Sequence, residues 1–167
     1  MRNGKMDALT APTSFLRKLF AALAECSVDV SDLELDHLCY RVEDVDRYAE
    51  LREQLDAEGT LLSESLIGGR PIASYCLRDP FRFDERRIAV LELPAPKAGS
   101  PYPEGYEHAE FVVDENLMKF TQRYPQLAWD LSDIDKAINA DVRLRFDGFS
   151  VKFHRRSLAD VIADEQR

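Results

Sequence analysis

A proline- and glycine-rich stretch, Pro94, Pro96, Gly99, Pro101, Pro103 and Gly105, divides the sequence into two parts. Proline cannot donate to a sheet ladder, so this stretch joins structure rather than forming it. The same order of elements reads on both sides. Before it, residues 35–42 have strand chemistry and Asp44 can cap a helix carrying Val45, Tyr48, Leu51 and Leu55 on one face, ended by Gly59. Strands over 61–67 and 71–77 meet at Gly68-Gly69, and a charged loop over 78–87 leads to a strand over 88–93. After it, a strand over 108–113 precedes a helix capped by Asp114 and stopped by Pro125, with Leu117, Phe120 and Tyr124 near one side. A short strand over 127–129 and strands over 142–146 and 149–154, turned at Asp147-Gly148, complete it. Each part reads β-α-β-β-β, which restricts the chain to a duplicated α+β architecture. Placing His37 on His108 also pairs Tyr40 with Phe111, Val42 with Val113 and Glu43 with Asp114.

A helix striped by Phe15, Leu16, Leu19, Phe20 and Leu23 precedes the first part, and Ser157 opens a short C-terminal helix. The chain of 167 residues is expected to be one domain, 1–167, with a first module at 35–94, a connector at 95–106 and a second module at 107–155. The formal net charge of −9 argues against binding nucleic acid or an anionic membrane surface. Cys26, Cys39 and Cys76 form no C-x-x-C pair, and no apolar run has signal-peptide or membrane-span length. These features lead to the expectation of a cytoplasmic protein.

The three histidines, His37, His108 and His154, all fall in strands. Alternate strand residues point to opposite faces. His37 shares a face with Cys39 and Arg41, His108 with Glu110, and His154 with Lys152, whereas the opposite faces are apolar. The last strand of the first part carries Glu92 in the place that His154 takes in the second. If the halves join into one curved sheet, His37, Glu92, His108 and His154 converge on its polar side. Three imidazoles and a carboxylate suit a divalent transition metal, and an open position would make that metal a Lewis acid.

This organisation resembles the vicinal oxygen chelate superfamily, which includes glyoxalase I, extradiol dioxygenases and fosfomycin-resistance proteins. More narrowly, E-L-D-H-L-C-Y-R-V at 34–42, G-G-R-P-I at 68–72, L-E-L-P-A-P-K at 91–97, E-H-A-E-F-V-V at 107–113 and K-A-I-N-A-D-V at 136–142 resemble the YecM-like family. The resemblance implies paired βαβββ modules in one half-open barrel with a metal-binding cleft. It also implies that His37, Glu92 and His108 occupy ligand places, with His154 standing where glyoxalases and dioxygenases offer a carboxylate. Zinc, manganese, iron, nickel and cobalt all remain open.

Two functions are carried forward. In one, a metal-dependent enzyme acts on a small, oxygen-bearing, anionic substrate. Glu92 or Glu110 transfers a proton, and isomerase or lyase chemistry is favoured over dioxygenase chemistry. In the other, a non-catalytic protein uses the same cleft to bind a small ligand or a metal. Arg41 and Lys152 read either as substrate anchors or as charge compensation for Glu92 and Glu110. Glu92 has its own alternative, an ion pair with Arg41 or Arg87. Cys39 reads as packing rather than as a nucleophile, and Arg86-Arg87 as solvated loop charges. One chain holds the whole site, so monomer and homodimer are both compatible with it.

Overall fold

The structure, a computed structural model, describes residues 9–167. Helix α1 (Thr13–Glu25) buries the stripe Leu16, Leu19 and Leu23. The first module follows as β1 (Glu34–Arg41), α2 (Val45–Glu58), β2 (Gly59–Ile67), β3 (Arg70–Phe83) and β4 (Arg86–Pro94). The second comprises β5 (Gly105–Val112), α3 (Leu117–Gln122), β6 (Asp141–Phe146) and β7 (Phe149–His154), and α4 (Leu158–Glu165) ends the chain. Asp44 caps α2 through the Arg47 N–H, and Ser157 caps α4 through the Asp160 N–H.

The seven strands form one sheet in the order β2-β3-β4-β1-β5-β7-β6. β1 runs parallel to β4, and β5 runs parallel to β7. β1 and β5 meet antiparallel at the centre, where Leu38 faces Ala109, His37 faces Glu110 and Cys39 faces His108. The repeat that places His37 on His108 also places Leu38 on Ala109. An approximate twofold axis therefore passes through the Leu38–Ala109 pair. The apolar face of the sheet carries Leu38, Tyr40, Leu91, Ala109, Phe111, Val151 and Phe153 in one core with residues of α1, α2 and α3.

Neighbouring strands stand about 4.8 Å apart, so a flat sheet would separate β2 from β6 by about 29 Å. Instead Ser63 of β2 and Arg143 of β6 line one cavity of about 840 Å³. The sheet is curled into a half-open barrel around its polar face. Helix α4 crosses that opening: Leu158 and Ile162 pack on Val90 and Leu62, and the Gln166 amide donates to the Leu62 carbonyl at 2.8 Å.

Several local expectations differ. The charged stretch 78–87 is no loop, because β3 runs on to Phe83 and pairs with β4 through Phe81–Ile88 and Phe83–Arg86. Phe81 and Phe83 are the reason: both pack against the core, which holds the hairpin together despite its charges. Arg86 is not solvated but donates to the Leu33 and Val30 carbonyls and lies over Phe20 and Phe111. Gly59 ends α2 in an extended conformation. A Cβ there would meet the Cys76 carbonyl oxygen at 2.4 Å, so glycine is required by the approach of β3. The short strand expected at 127–129 is reduced to a single bridge, Asp130–Arg143, in the fourth strand's place beside β6. Asn116 rather than Asp114 caps α3, and Val45 is exposed rather than on the buried face of α2.

Candidate metal centre

The acidic residue before each central histidine explains how the site is built. Between Leu35 and His37 the β1–β5 register shifts, leaving Asp36 as an extra residue on β1. Between Cys39 and Tyr40 it shifts again, leaving Glu107 as the extra residue on β5. The two bulges are related by the approximate twofold axis. Period-2 alternation would aim Asp36 and Glu107 away from the histidine face, whereas a bulge re-aims the side chain.

As a result, His37 Nδ1 lies 2.8 Å from Asp36 Oδ2, and His108 Nδ1 contacts Glu107 Oε2. An ionised carboxylate only accepts, so each Nδ1 donates and each Nε2 is left for another partner. His37 and His108 are 0% and 5% exposed, yet neither Nε2 has a hydrogen-bond partner among the described residues. Such atoms are costly unless something else meets them. Carboxylates held on Nδ1 with Nε2 aimed into a pocket are the outer-shell arrangement of metal-binding histidines. His37, Glu92 and His108 each offer an atom within 4.8 Å of the others. These donors fit a divalent transition metal.

Glu110 is the hub of the cluster. One of its oxygens lies 3.4 Å from His37 Nε2 and 3.1 Å from His154 Nδ1, and the other lies 3.5 Å from both His108 Nε2 and Lys152 Nζ. Burial works against its charge, but His37, His108 and Lys152 hold its pKa well below the usual carboxylate range. Asp36 is also buried and is lowered by His154 and His37. It accepts from the Leu158 N–H at 2.9 Å, joining the start of α4 to the site. Glu107 is pulled down to about 2 against its burial, first by His108. Burial opposes protonation of both central histidines. The charge of Glu110 and the hydrogen bond to Asp36 nevertheless raise His37, while Cys39 and Glu107 raise His108.

Of the residues singled out from the sequence, His37, Glu92 and His108 come together. His154 is fully buried and forms a second group with Asp36 and His37, its Nε2 3.4 Å from Asp36 Oδ2. The parallel ladders pair Cys39 with Glu92 and Glu110 with Lys152. The counterpart of Glu92 is therefore Lys152, not His154, a correction of two residues that strand order alone does not reveal. Lys152 reaches Glu110 and lines the cavity. Arg41 lines it too, but its guanidinium donates to the Ser100 carbonyl at 3.0 Å and lies over the Tyr102 ring. Among the described residues Glu92 forms no ion pair with Arg41 or Arg87; its basic neighbour is His108, at 3.9 Å. Burial pushes the Cys39 thiol up to about 11, consistent with packing rather than nucleophilic chemistry. Asp36 and Glu107 escape a reading based on alternation, although an acid directly before each first-strand histidine is visible in the sequence.

A family model described as YecM protein matches residues 5–146. Protein YecM of Escherichia coli is 26% identical over 181 aligned positions that cover 96% of each chain. A Haemophilus influenzae protein is 34% identical over 110 residues, 65% of this chain and 57% of its own length. The solved structure of protein EC4020 superposes with a TM-score of 0.72 at 26% identity, covering 92% of this chain and 90% of that one. A hypothetical protein from Bacillus halodurans, BH1468, shares the fold with a TM-score of 0.50 at 16% identity, covering 76% of this chain and 96% of that one.

Proposed function

Since this chain belongs to the YecM family, we propose that its half-open barrel is the site of a metal-dependent enzyme of the vicinal oxygen chelate type, acting on a small oxygen-bearing acid. His37, Glu92 and His108 would hold the divalent metal, and His154 would support His37 through Asp36. The observation that carries this reading is the pair of bulges that leaves two buried Nε2 atoms without a hydrogen-bond partner, in one group of donors with Glu92. When bound, the metal would supply Lewis-acid polarisation of a substrate oxygen. Glu110, within reach of both central histidines, would accept a proton from one substrate atom and deliver it to another atom or to the leaving group, which is isomerase or lyase chemistry. Lys152 supplies a positive charge beside it. Helix α4 is tied to the cluster at its start, where the Leu158 N–H donates to Asp36.

Elemental analysis after metal-replete expression is expected to find close to one equivalent of divalent metal. Less than about 0.1 equivalent would end this reading. Water proton relaxation of the Mn²⁺-loaded protein is expected to reveal a rapidly exchanging bound water, the open position catalysis needs; a closed shell would instead favour metal binding without turnover. Asp36→Asn and Glu107→Gln remove the charged acceptors behind the histidines. Each is expected to weaken metal binding by about 10- to 100-fold in a competition titration.

A further inference from the structure

We propose that Arg143 and Lys152 form an oxyanion subsite that holds the carboxylate or phosphate group of the substrate beside the metal ligands. The placement next to a metal rests on the reading above; the subsite itself rests on separate observations.

Arg143 and Lys152 stand directly opposite each other on β6 and β7, and both line the cavity. Like charges in that relation repel, since their Cβ atoms are about 5 Å apart. Acidic residues outnumber basic ones by 31 to 22 in this chain, yet among the described residues no carboxylate lies within ion-pair distance of Arg143. Lys152 has one such neighbour, Glu110 at 3.5 Å, and that carboxylate also serves three histidines. The other cations of the β6 side are already engaged: Arg145 with Asp130 at 2.8 Å and Lys136 with Asp133 at 3.2 Å.

The duplication sharpens the contrast. The ladders make Lys152 the counterpart of Glu92, and Arg143 the counterpart of Ser74, which faces Glu92 across β3 and β4. One module therefore contributes a carboxylate and a hydroxyl where the other contributes two cations. A ligand with a metal-binding oxygen at one end and an anionic group at the other matches that asymmetry. A guanidinium fork beside an ammonium suits a carboxylate or phosphate group.

The test is calorimetric titration with inorganic phosphate and with malonate, on chelator-stripped and on Mn²⁺-supplemented protein. The wild type is expected to bind at least one of them in both forms. Arg143→Gln and Lys152→Gln are each expected to weaken that binding tenfold or more. Arg143→Lys, which keeps the charge but loses the guanidinium fork, is expected to fall between wild type and Arg143→Gln, whereas Arg82→Gln, an equal charge loss on the exposed part of β3, stays within about threefold. The preferred probe identifies the class of acid. Metal affinity of Arg143→Gln is expected to stay within about threefold, because the ligands come from other strands. Stripped protein that binds the anion but no metal would sink the metal reading and leave the subsite standing. No binding by wild type below about 10 mM, or equal binding by Arg143→Gln and Lys152→Gln, overturns the subsite. Should Arg143→Gln fail to fold, Arg143→Lys and Lys152→Gln decide the matter: both are expected to bind the anion more weakly than Arg82→Gln, and binding equal to that control in both overturns the subsite.

Discussion

His108→Ala is expected to lower divalent-metal affinity by at least a hundredfold, about 2.8 kcal/mol at 1.4 kcal/mol per tenfold. The variant removes one of three donors that converge within 4.8 Å, and no other imidazole can replace it. The remaining pair, His37 and His154, has ring centroids 5.9 Å apart, but His154 is grouped with Asp36 rather than with Glu92. His154→Ala is therefore expected to cost less than tenfold in metal affinity. Removing His154 would still cost stability, because Asp36 and Glu110 both lose a buried partner. Competition against a chromogenic chelator measures both variants. Equal losses would make His154 a fourth ligand and refute the supporting role assigned to it. Unchanged affinity in His108→Ala would remove the proposed centre altogether.

The second large effect is a pH dependence whose sign depends on the metal. His37 and His108 have pKa values raised above the ordinary imidazole value of 6.5. A group whose folded pKa is raised contributes stability that is complete below its unfolded pKa and is lost as pH rises through the folded one. The unfolded value here is about 6.5. Glu107, at about 2, and Glu110, held low, stay ionised throughout that window and do not offset the loss. Chelator-stripped protein is thus expected to melt several degrees lower at pH 9 than at pH 6, as two buried cations disappear from among four carboxylates. Metal binding must displace the same protons, so metal affinity is expected to climb over that range, with proton release on binding. Melting curves with and without metal should therefore converge at low pH and separate at high pH. A stripped protein whose midpoint is flat or rises between pH 6 and pH 9 contradicts this.

Much of the fold can be read from local pattern. The Ser157 cap, the Gly68-Gly69 and Asp147-Gly148 turns and the β7 strand lie where their residues place them. Each depends on neighbours in sequence, where periodicity and turn chemistry act directly. The polar face holding His37, His108 and His154 follows from alternation for the same reason. The hairpin over 78–87 is hidden because its charges outweigh Phe81 and Phe83 in any local reading, while burial against the core decides the outcome.

The sequence alone therefore determined the duplicated α+β order, the histidine-bearing face and most helix and turn positions. Tertiary structure decided which residues meet. Bulges at Asp36 and Glu107 exist because β1 and β5, distant in sequence, must pair while their apolar sides stay in the core. The same ladders make Lys152 rather than His154 the counterpart of Glu92 and set Arg143 beside it. Register between distant strands is chosen by the packing of the whole sheet, and a single inserted residue changes what every side chain beyond it faces.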